Sequence, residues 1–240
     1  DGEPERGPEF ERLHRPVLRM PALTENGARV PIVVEMEHPM AADHAVTTVH
    51  VVNERDPVPS KGFFHFTPAN GQVYLAFQAR LDQGASRVVA TATCNRHGAW
   101  STARDVTVAD GAGGCAGPAA AGWRDDDIRP PVIRIPALVK QGRVRAGEVI
   151  DVQVKVRHPS RTGLALQQGR WVAVAEPFYI ESVEVFYGAK PVSRFALTPA
   201  LSDDPFLVFR LRADRAAPLR VVLRNSRGRS FQAEHDLPLA

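Results

Sequence analysis

The sequence predicts an all-β protein built as two immunoglobulin-like β-sandwich domains, and three observations support this. Stretches of about five to nine residues that alternate in polarity or are rich in β-branched side chains recur between turn signals. An internal repeat matches residues 17–23 to residues 132–138, and three later segments match in the same order. A glycine- and alanine-rich stretch between the copies follows neither a strand nor a helix period.

Eight segments have the composition of strands. They are residues 29–37, 45–52, 72–81 and 86–93 in the first copy, and residues 148–157, 179–187, 206–211 and 219–224 in the second. Turn residues such as Gly188, Pro205 and Gly228 separate them. About seven short strands in about 105 residues per copy is typical of a β-sandwich, although strand spacing alone leaves a barrel open.

The repeat defines the domain organisation. The later matches pair residues 33–39 with 153–159, residues 67–69 with 198–200, and residues 95–98 with 225–228. We therefore expect one domain at residues 13–110, a cysteine arm and linker at 111–131, and a second domain at 132–240. In the linker, Trp123 is expected to pack against a domain edge. The insertion at 160–177 predicts a long ordered loop that could cover the other domain or contact another protein.

Composition excludes two classes of partner. The net charge is +3, but the 30 basic and 27 acidic residues are interspersed, so nucleic acid is not an expected partner. No apolar stretch approaches the length of about 20 residues that a membrane helix needs. The chain does not open on a leader pattern, which is consistent with a processed mature form. Two cysteines fit either redox compartment.

The segment around Cys115 points most directly to function. Its neighbours have little or no side chain: Gly111, Ala112, Gly113, Gly114, Ala116 and Gly117. Such a segment is expected to behave as a flexible coil that cannot pack, so the thiol is expected to be exposed. A mobile thiol is poorly suited to a rigid active site but well suited to carrying a group between enzyme pockets.

Cys94 is interpreted differently. By the two-residue period of a strand it shares a face with Val88, Ala90 and Ala92, which predicts a small, inert core residue. A disulfide between Cys94 and Cys115 is the main alternative. Pairing of Cys115 with a second copy of the chain also stays open.

No metal, cofactor or enzyme site is predicted. None of the eight histidines forms an HxH or HExxH cluster. His38 and His158 precede proline at equivalent repeat positions, which indicates a structural role, and the remaining candidates are scattered singly: His44, His50, His65 and His97. The glycine-rich segment lacks the lysine of a phosphate loop, and no GxSxG motif or conspicuous carboxylate pair is present.

These residues resemble a known family. The second half resembles SoxZ, a subunit of bacterial sulfur-oxidation carriers, at residues 133–136, 158–159, 162–164, 179–183, 204–206 and 225–231. The first half resembles SoxY at residues 21–23, 26–27, 30–31, 37–40, 64–69 and 113–117. Apart from the first residues and the linker, nearly the whole chain is covered, so the chain is similar to a SoxY–SoxZ fusion.

The resemblance implies a function. In that family a cysteine in a glycine-rich arm carries thiosulfate-derived intermediates as covalent adducts, which makes Cys115 the expected carrier site. The expected partners are periplasmic: a c-type cytochrome, a sulfate-releasing hydrolase and a sulfur dehydrogenase. The protein itself would be a carrier without a cofactor rather than an enzyme, and it would be periplasmic after removal of a signal peptide.

Three departures from the family pattern leave an alternative open. Ala116 replaces a glycine, Ser160 replaces the methionine usual after His-Pro in SoxZ, and the arm is internal because the two subunits are fused. A tethered loop must enter a partner's pocket doubled. The alternative is a SoxYZ-like scaffold or carrier associated with a quinoprotein dehydrogenase, with another cargo.

Overall fold

The computed structural model describes residues 7–111, 113–117 and 127–240. Each half has one short α-helix near its start: α1 (Pro8–His14) precedes the first strand of the first half, and α2 (Pro136–Gln141) follows the first strand of the second half. The first half contains β1 (Val17–Arg19), β2 (Leu23–Thr24), β3 (Val30–Met36), β4 (Val46–Asn53), β5 (Ser60–Phe66), β6 (Val73–Ala79), β7 (Gly84–Cys94) and β8 (Gly98–Val108). The second half contains β9 (Val132–Arg134), β10 (Glu148–Lys155), β11 (Leu164–Gln167), β12 (Arg170–Ala173), β13 (Ile180–Tyr187), β14 (Lys190–Leu197), β15 (Phe206–Ala213), β16 (Leu219–Asn225) and β17 (Ser230–His235).

The all-β prediction is confirmed, and all eight predicted strands are present within a few residues of their expected ends. The larger sheet has nine strands in the order β17-β16-β13-β14-β5-β4-β7-β8-β2. The smaller has six in the order β1-β3-β6-β15-β10-β9. Each sheet therefore takes strands from both halves of the chain, and in the part that the structure describes neither closes into a barrel.

Strand pairing joins the two halves. β5 pairs antiparallel with β14, and β6 pairs antiparallel with β15. Since residues 67–69 and 198–200 are matched repeat segments that directly follow β5 and β14, the joint pairs corresponding strands of the two copies. The β-sandwiches thus meet edge to edge and share both sheets, which removes four exposed sheet edges, two at each joint.

Alternating burial explains how these strands form the core. β3 and β6 each bury every second side chain, as a strand with one face on a core requires. At the joint, the ring of Phe195 lies 5.5 Å from those of both Phe64 and Phe209, and all three side chains are fully buried. The aromatic contacts across the joint make one continuous core out of two repeats.

The structure describes the whole insertion but only part of the linker. Residues 160–177, expected to form a long ordered loop, contain the hairpin of β11 and β12. Residues 112 and 118–126 of the linker, including Trp123, lie outside the described residues. Asp127 and the residues that follow it lead into β9.

Candidate functional sites

Cys115 is buried where the two halves meet the insertion. Only 2% of the residue is exposed, and both Cys94 and Cys115 are free thiols. The expectation of an exposed thiol on a segment that cannot pack is therefore corrected. Residues 113–117 lie against the protein, although Gly113 and Ala116 are exposed.

The lack of side chains is what lets the segment pack. The Gly114 amide donates to the Leu81 carbonyl at 2.8 Å. A Cβ on Gly114 would lie 2.1 Å from the Gly27 carbonyl oxygen, far inside any real contact, so no other residue fits there unless the backbone moves. The glycines were expected to make this segment flexible. They also let its backbone approach the backbone of the first half closely.

Arg80 holds the segment against the second half. From the end of β6 its guanidinium donates to the carbonyl oxygens of Gly114 at 2.9 Å and Ser160 at 2.8 Å. It also lies 3.2 Å from the Asp203 carboxylate, which pairs with Arg161. Ser160, one of the departures from the family pattern, thus contributes a backbone acceptor to this network, and its own amide donates to Asp203.

The insertion covers the other side of the segment. The Thr162 hydroxyl donates to the Cys115 carbonyl at 2.9 Å. The Gly117 amide donates to the Leu164 carbonyl at 3.0 Å, and the Gly163 amide donates to the Gly117 carbonyl at 2.9 Å. The insertion was predicted to cover the other domain or to contact another protein. In the structure the insertion contacts the cysteine segment.

Charged side chains from the first half surround the thiol. The Lys61 ammonium and the Asp56 carboxylate form a fully buried ion pair at 2.5 Å, and Asp56 also accepts from the Asp82 amide at 2.8 Å. Burial, followed by the charge of Asp56, raises the pKa of Cys115, and Lys61 opposes this only in part. In this docked position the cysteine is a protonated thiol, a poor nucleophile.

A second cluster, which the sequence patterns do not reveal, lies at the far end of the first half. His14 ends α1, Cys94 ends β7, and His44 and His97 lie in the turns before β4 and between β7 and β8. One nitrogen from each histidine and the Cys94 sulfur all lie within 4.8 Å of one another. The expectation that the histidines are scattered singly is wrong for His44 and His97, because two turns, the end of β7 and the end of α1 converge here.

His38 adjoins this cluster. Its ring centroid lies 4.5 Å from that of His44 and 4.8 Å from that of His14. Its Nδ1 lies 2.6 Å from the Pro39 carbonyl, and its buried Nε2 has no hydrogen-bond partner among the described residues. Burial lowers the pKa of His38 to about 4, and the neighbouring histidines contribute in the same direction.

The remaining first-half histidines lie elsewhere. His50 stacks on Phe63 at 3.7 Å and lies 3.0 Å from the Ser60 hydroxyl, and exposed His65 lies 3.2 Å from the Thr48 hydroxyl. The weak sequence signals for the cluster were Cys94-x-x-His97 and the six-residue interval from His38 to His44. Neither identifies a site alone, since His14 is distant in sequence.

No helix among the described residues is long and apolar enough to cross a membrane.

The fold and the interdomain thiol define a class of protein with two related β-sandwich halves and a single cysteine in a glycine-rich segment between them. Comparison with family models then matches residues 11–115 to the sulfur oxidation protein SoxY and residues 139–236 to the sulphur oxidation protein SoxZ. The chain belongs to this family and is a SoxY–SoxZ fusion.

Membership of the family indicates a role in sulfur oxidation and interaction with other proteins of the Sox system, which is typically extracytoplasmic. Comparison with curated proteins found no match. Among solved structures, the superoxide reductase (neelaredoxin) from Ignicoccus hospitalis is 18% identical with a TM-score of 0.37, covering 50% of this chain and 90% of that chain. The superoxide reductase from Nanoarchaeum equitans is 20% identical with a TM-score of 0.32, covering 40% of this chain and 94% of that chain.

Proposed function

We propose that the protein is a periplasmic, non-enzymatic carrier that holds thiosulfate-derived sulfur intermediates covalently on Cys115. The observation that carries the proposal is the position of this free thiol in the glycine segment at the end of the SoxY match. The partners are a c-type cytochrome, a sulfate-releasing hydrolase and a sulfur dehydrogenase of the Sox system. The segment made by Gly111, Gly113, Gly114, Ala116 and Gly117 moves the thiol between them.

Loading is an oxidation and needs an electron acceptor. The Cys115 thiol loses its proton, its sulfur bonds to the outer sulfur of thiosulfate, and two electrons pass to the cytochrome. Hydrolysis then breaks the bond between that outer sulfur and the sulfonate. Water supplies the hydroxyl of the released hydrogen sulfate and the proton of the persulfide left on Cys115. The carrier contributes no catalytic group to either step.

The buried position of Cys115 is the resting state of the carrier. It keeps the thiol protonated beside Asp56 and out of reach of oxidants. Loading requires the segment to leave its position by breaking the contacts of Gly114 with Leu81 and Arg80. An adduct that ends in a sulfonate is too bulky and too negative to return beside the Asp56 and Asp82 carboxylates, so the loaded segment stays outside.

Intact-mass analysis tests the proposal. The protein is incubated with thiosulfate and the partner c-type cytochrome, without the hydrolase, and we expect a gain of one S₂O₃ group that reductant removes. Cys115→Ser should show no adduct, whereas the matched control Cys94→Ala should load like the parent protein. Loading of Cys115→Ser, or a complete sulfur-oxidation cycle with that variant, would overturn the assignment of Cys115.

A further inference from the structure

We propose that the SoxY-like half binds a divalent first-row transition metal ion through His14, His44, Cys94 and His97, with His38 as a fifth donor. The site is separate from the carrier cysteine, and nothing in the proposed carrier function requires it. Three features of the cluster support it: the spacing of the donor atoms, the tautomers that the surrounding carbonyls impose, and the contrast with the equivalent position in the second half.

The spacing is that of ligands on a common ion. His14 Nε2 lies 2.8 Å from His97 Nδ1 and 3.3 Å from His44 Nε2, and the latter two atoms are 3.1 Å apart. Two nitrogens each about 2.1 Å from one metal ion are about 3.0 Å apart at a right angle and about 3.4 Å apart at the tetrahedral angle. The Cys94 sulfur lies 3.9 Å from His97 Nδ1 and completes the set.

Hydrogen bonding alone does not account for three nitrogens in mutual contact. Each nitrogen either carries a proton and donates or has a lone pair and accepts. Among three, at least two have the same character, so at least one of the close pairs is repulsive. A cation at the centre makes every contact favourable, since all three lone pairs can then point at it.

The surrounding carbonyls orient the rings for metal binding. His14 Nδ1 lies 2.7 Å from the Phe10 carbonyl, and His38 Nδ1 lies 2.6 Å from the Pro39 carbonyl. A carbonyl only accepts, so each Nδ1 carries the proton and each Nε2 presents a lone pair. This arrangement, with one ring nitrogen bonded to a carbonyl and the other left to the ion, is typical of metal-ligating histidines.

The second half provides an internal contrast. His158 occupies the position equivalent to His38, and its Nδ1 likewise lies 2.6 Å from the next carbonyl. Its Nε2, however, lies 3.1 Å from the side-chain nitrogen of Asn225, which satisfies it. The Nε2 of His38 is equally buried and has no such partner among the described residues. At the position where the second half has a satisfied structural histidine, the first half therefore has a histidine with a free donor atom beside a cluster of other donors.

The donor set narrows the choice of ion. Imidazole and thiolate ligands suit first-row transition metals, whereas Mg²⁺ and Ca²⁺ prefer oxygen. Structural zinc sites are almost always four-coordinate, so five donors favour an ion that accepts five or six ligands, such as Fe²⁺ or Co²⁺. His44 and His97 are half-buried, so the ion would lie at the surface, where a small molecule can reach a sixth position.

Cobalt titration tests the site. The Cys115→Ser variant is used because it lacks the second thiol, which would compete as a ligand. The purified variant is stripped of metal with a chelator and titrated anaerobically with Co²⁺. We expect one ion per chain and a thiolate-to-cobalt charge-transfer absorption. Cys94→Ala in the same background should lose that absorption, and His97→Gln should weaken binding by about 100-fold or more. Exposed His65→Ala, outside the cluster, should bind like its parent.

Folding and metal identity are checked in the same experiment. Circular dichroism of the stripped variants confirms that lost binding is not lost folding, and half-buried His44→Gln replaces Cys94→Ala if that variant does not fold. Elemental analysis of the protein as purified should find iron in preference to zinc. The site is overturned if Co²⁺ does not bind, or if binding is unchanged in Cys94→Ala, His44→Gln and His97→Gln. Unchanged Co²⁺ affinity in His38→Asn overturns the assignment of His38 as the fifth donor. Zinc instead of iron in the purified protein overturns the choice of ion.

Discussion

Cys94 and Cys115 are both buried free thiols within the SoxY match, yet their surroundings differ in chemistry. Cys94 faces imidazole nitrogens whose lone pairs attract a cation, and a cation would in turn favour the thiolate. Cys115 faces Asp56 and Asp82, which oppose the thiolate. Burial alone therefore does not distinguish the roles of the two cysteines. The charge of the neighbouring groups distinguishes them.

The two cysteines also differ in how they are held. Cys94 is paired within the sheet, opposite Gly98 on one side and Val46 on the other. The segment of Cys115 has no strand pairing and is held by individual hydrogen bonds: its Gly114 amide donates to Leu81, and it accepts from Arg80 and from Thr162 in the insertion. A few contacts of this kind open at a lower free energy than a sheet does, so Cys115 is the cysteine expected to be released.

The largest expected effect is on thiol reactivity. Gly114→Ala should raise the rate of Cys115 alkylation by about tenfold to a hundredfold, because the new Cβ clashes with the Gly27 carbonyl and favours the open segment. Peptide mapping after timed alkylation measures both cysteines, and the rate at Cys94 should not change. Exposed Ala116→Ser is the matched control and should leave both rates unaltered. An equal rise at both cysteines would indicate general unfolding and contradict separate release.

The next effect is on stability. Arg80→Ala should lower the free energy of unfolding by about 3 kcal/mol, because two carbonyls lose a buried donor and Asp203 loses one of its partners. Urea denaturation measures it. Arg87→Ala, which removes an exposed ion pair with Asp105, should leave the free energy of unfolding nearly unchanged, because solvent screens that pair. Equal losses in the two variants would show that Arg80 does not fasten the segment.

The smallest effect is a pH dependence. A thiol whose pKa is raised on folding contributes stability that is fully present below its unfolded pKa of about 8.5 and is lost as the pH rises above it. The free energy of unfolding of the parent protein should therefore fall by about 1.4 kcal/mol per pH unit more steeply than that of Cys115→Ser. Urea denaturation from neutral to alkaline pH measures the difference. Parallel curves would show that Cys115 is not buried beside carboxylates in solution.

The comparison also shows what kind of information sequence patterns carry. Strand periodicity located eight strands, since alternation in a strand reports directly which face is buried. The glycine segment located Cys115, because its composition is unusual over consecutive residues. The histidine cluster escaped because its donors come from α1, two turns and the end of β7, and no local spacing records that they meet.

Composition was also misleading where one residue type has two uses. Glycine allows flexibility and also close backbone approach, and only the neighbours of Gly114 show that the second use applies in the docked segment. The same holds for histidine before proline. His38 and His158 have the same local sequence, but Asn225 satisfies only one of them.

The sequence by itself determined the all-β class, the duplication and the position of a thiol between the copies, because these depend on periodicity and order along the chain. The tertiary structure decided that the halves share both sheets, that Cys115 is buried beside Asp56, and that His14, His44, Cys94 and His97 meet. Those outcomes depend on contacts between residues far apart in sequence, and such contacts exist only once the strands have paired and the core has closed.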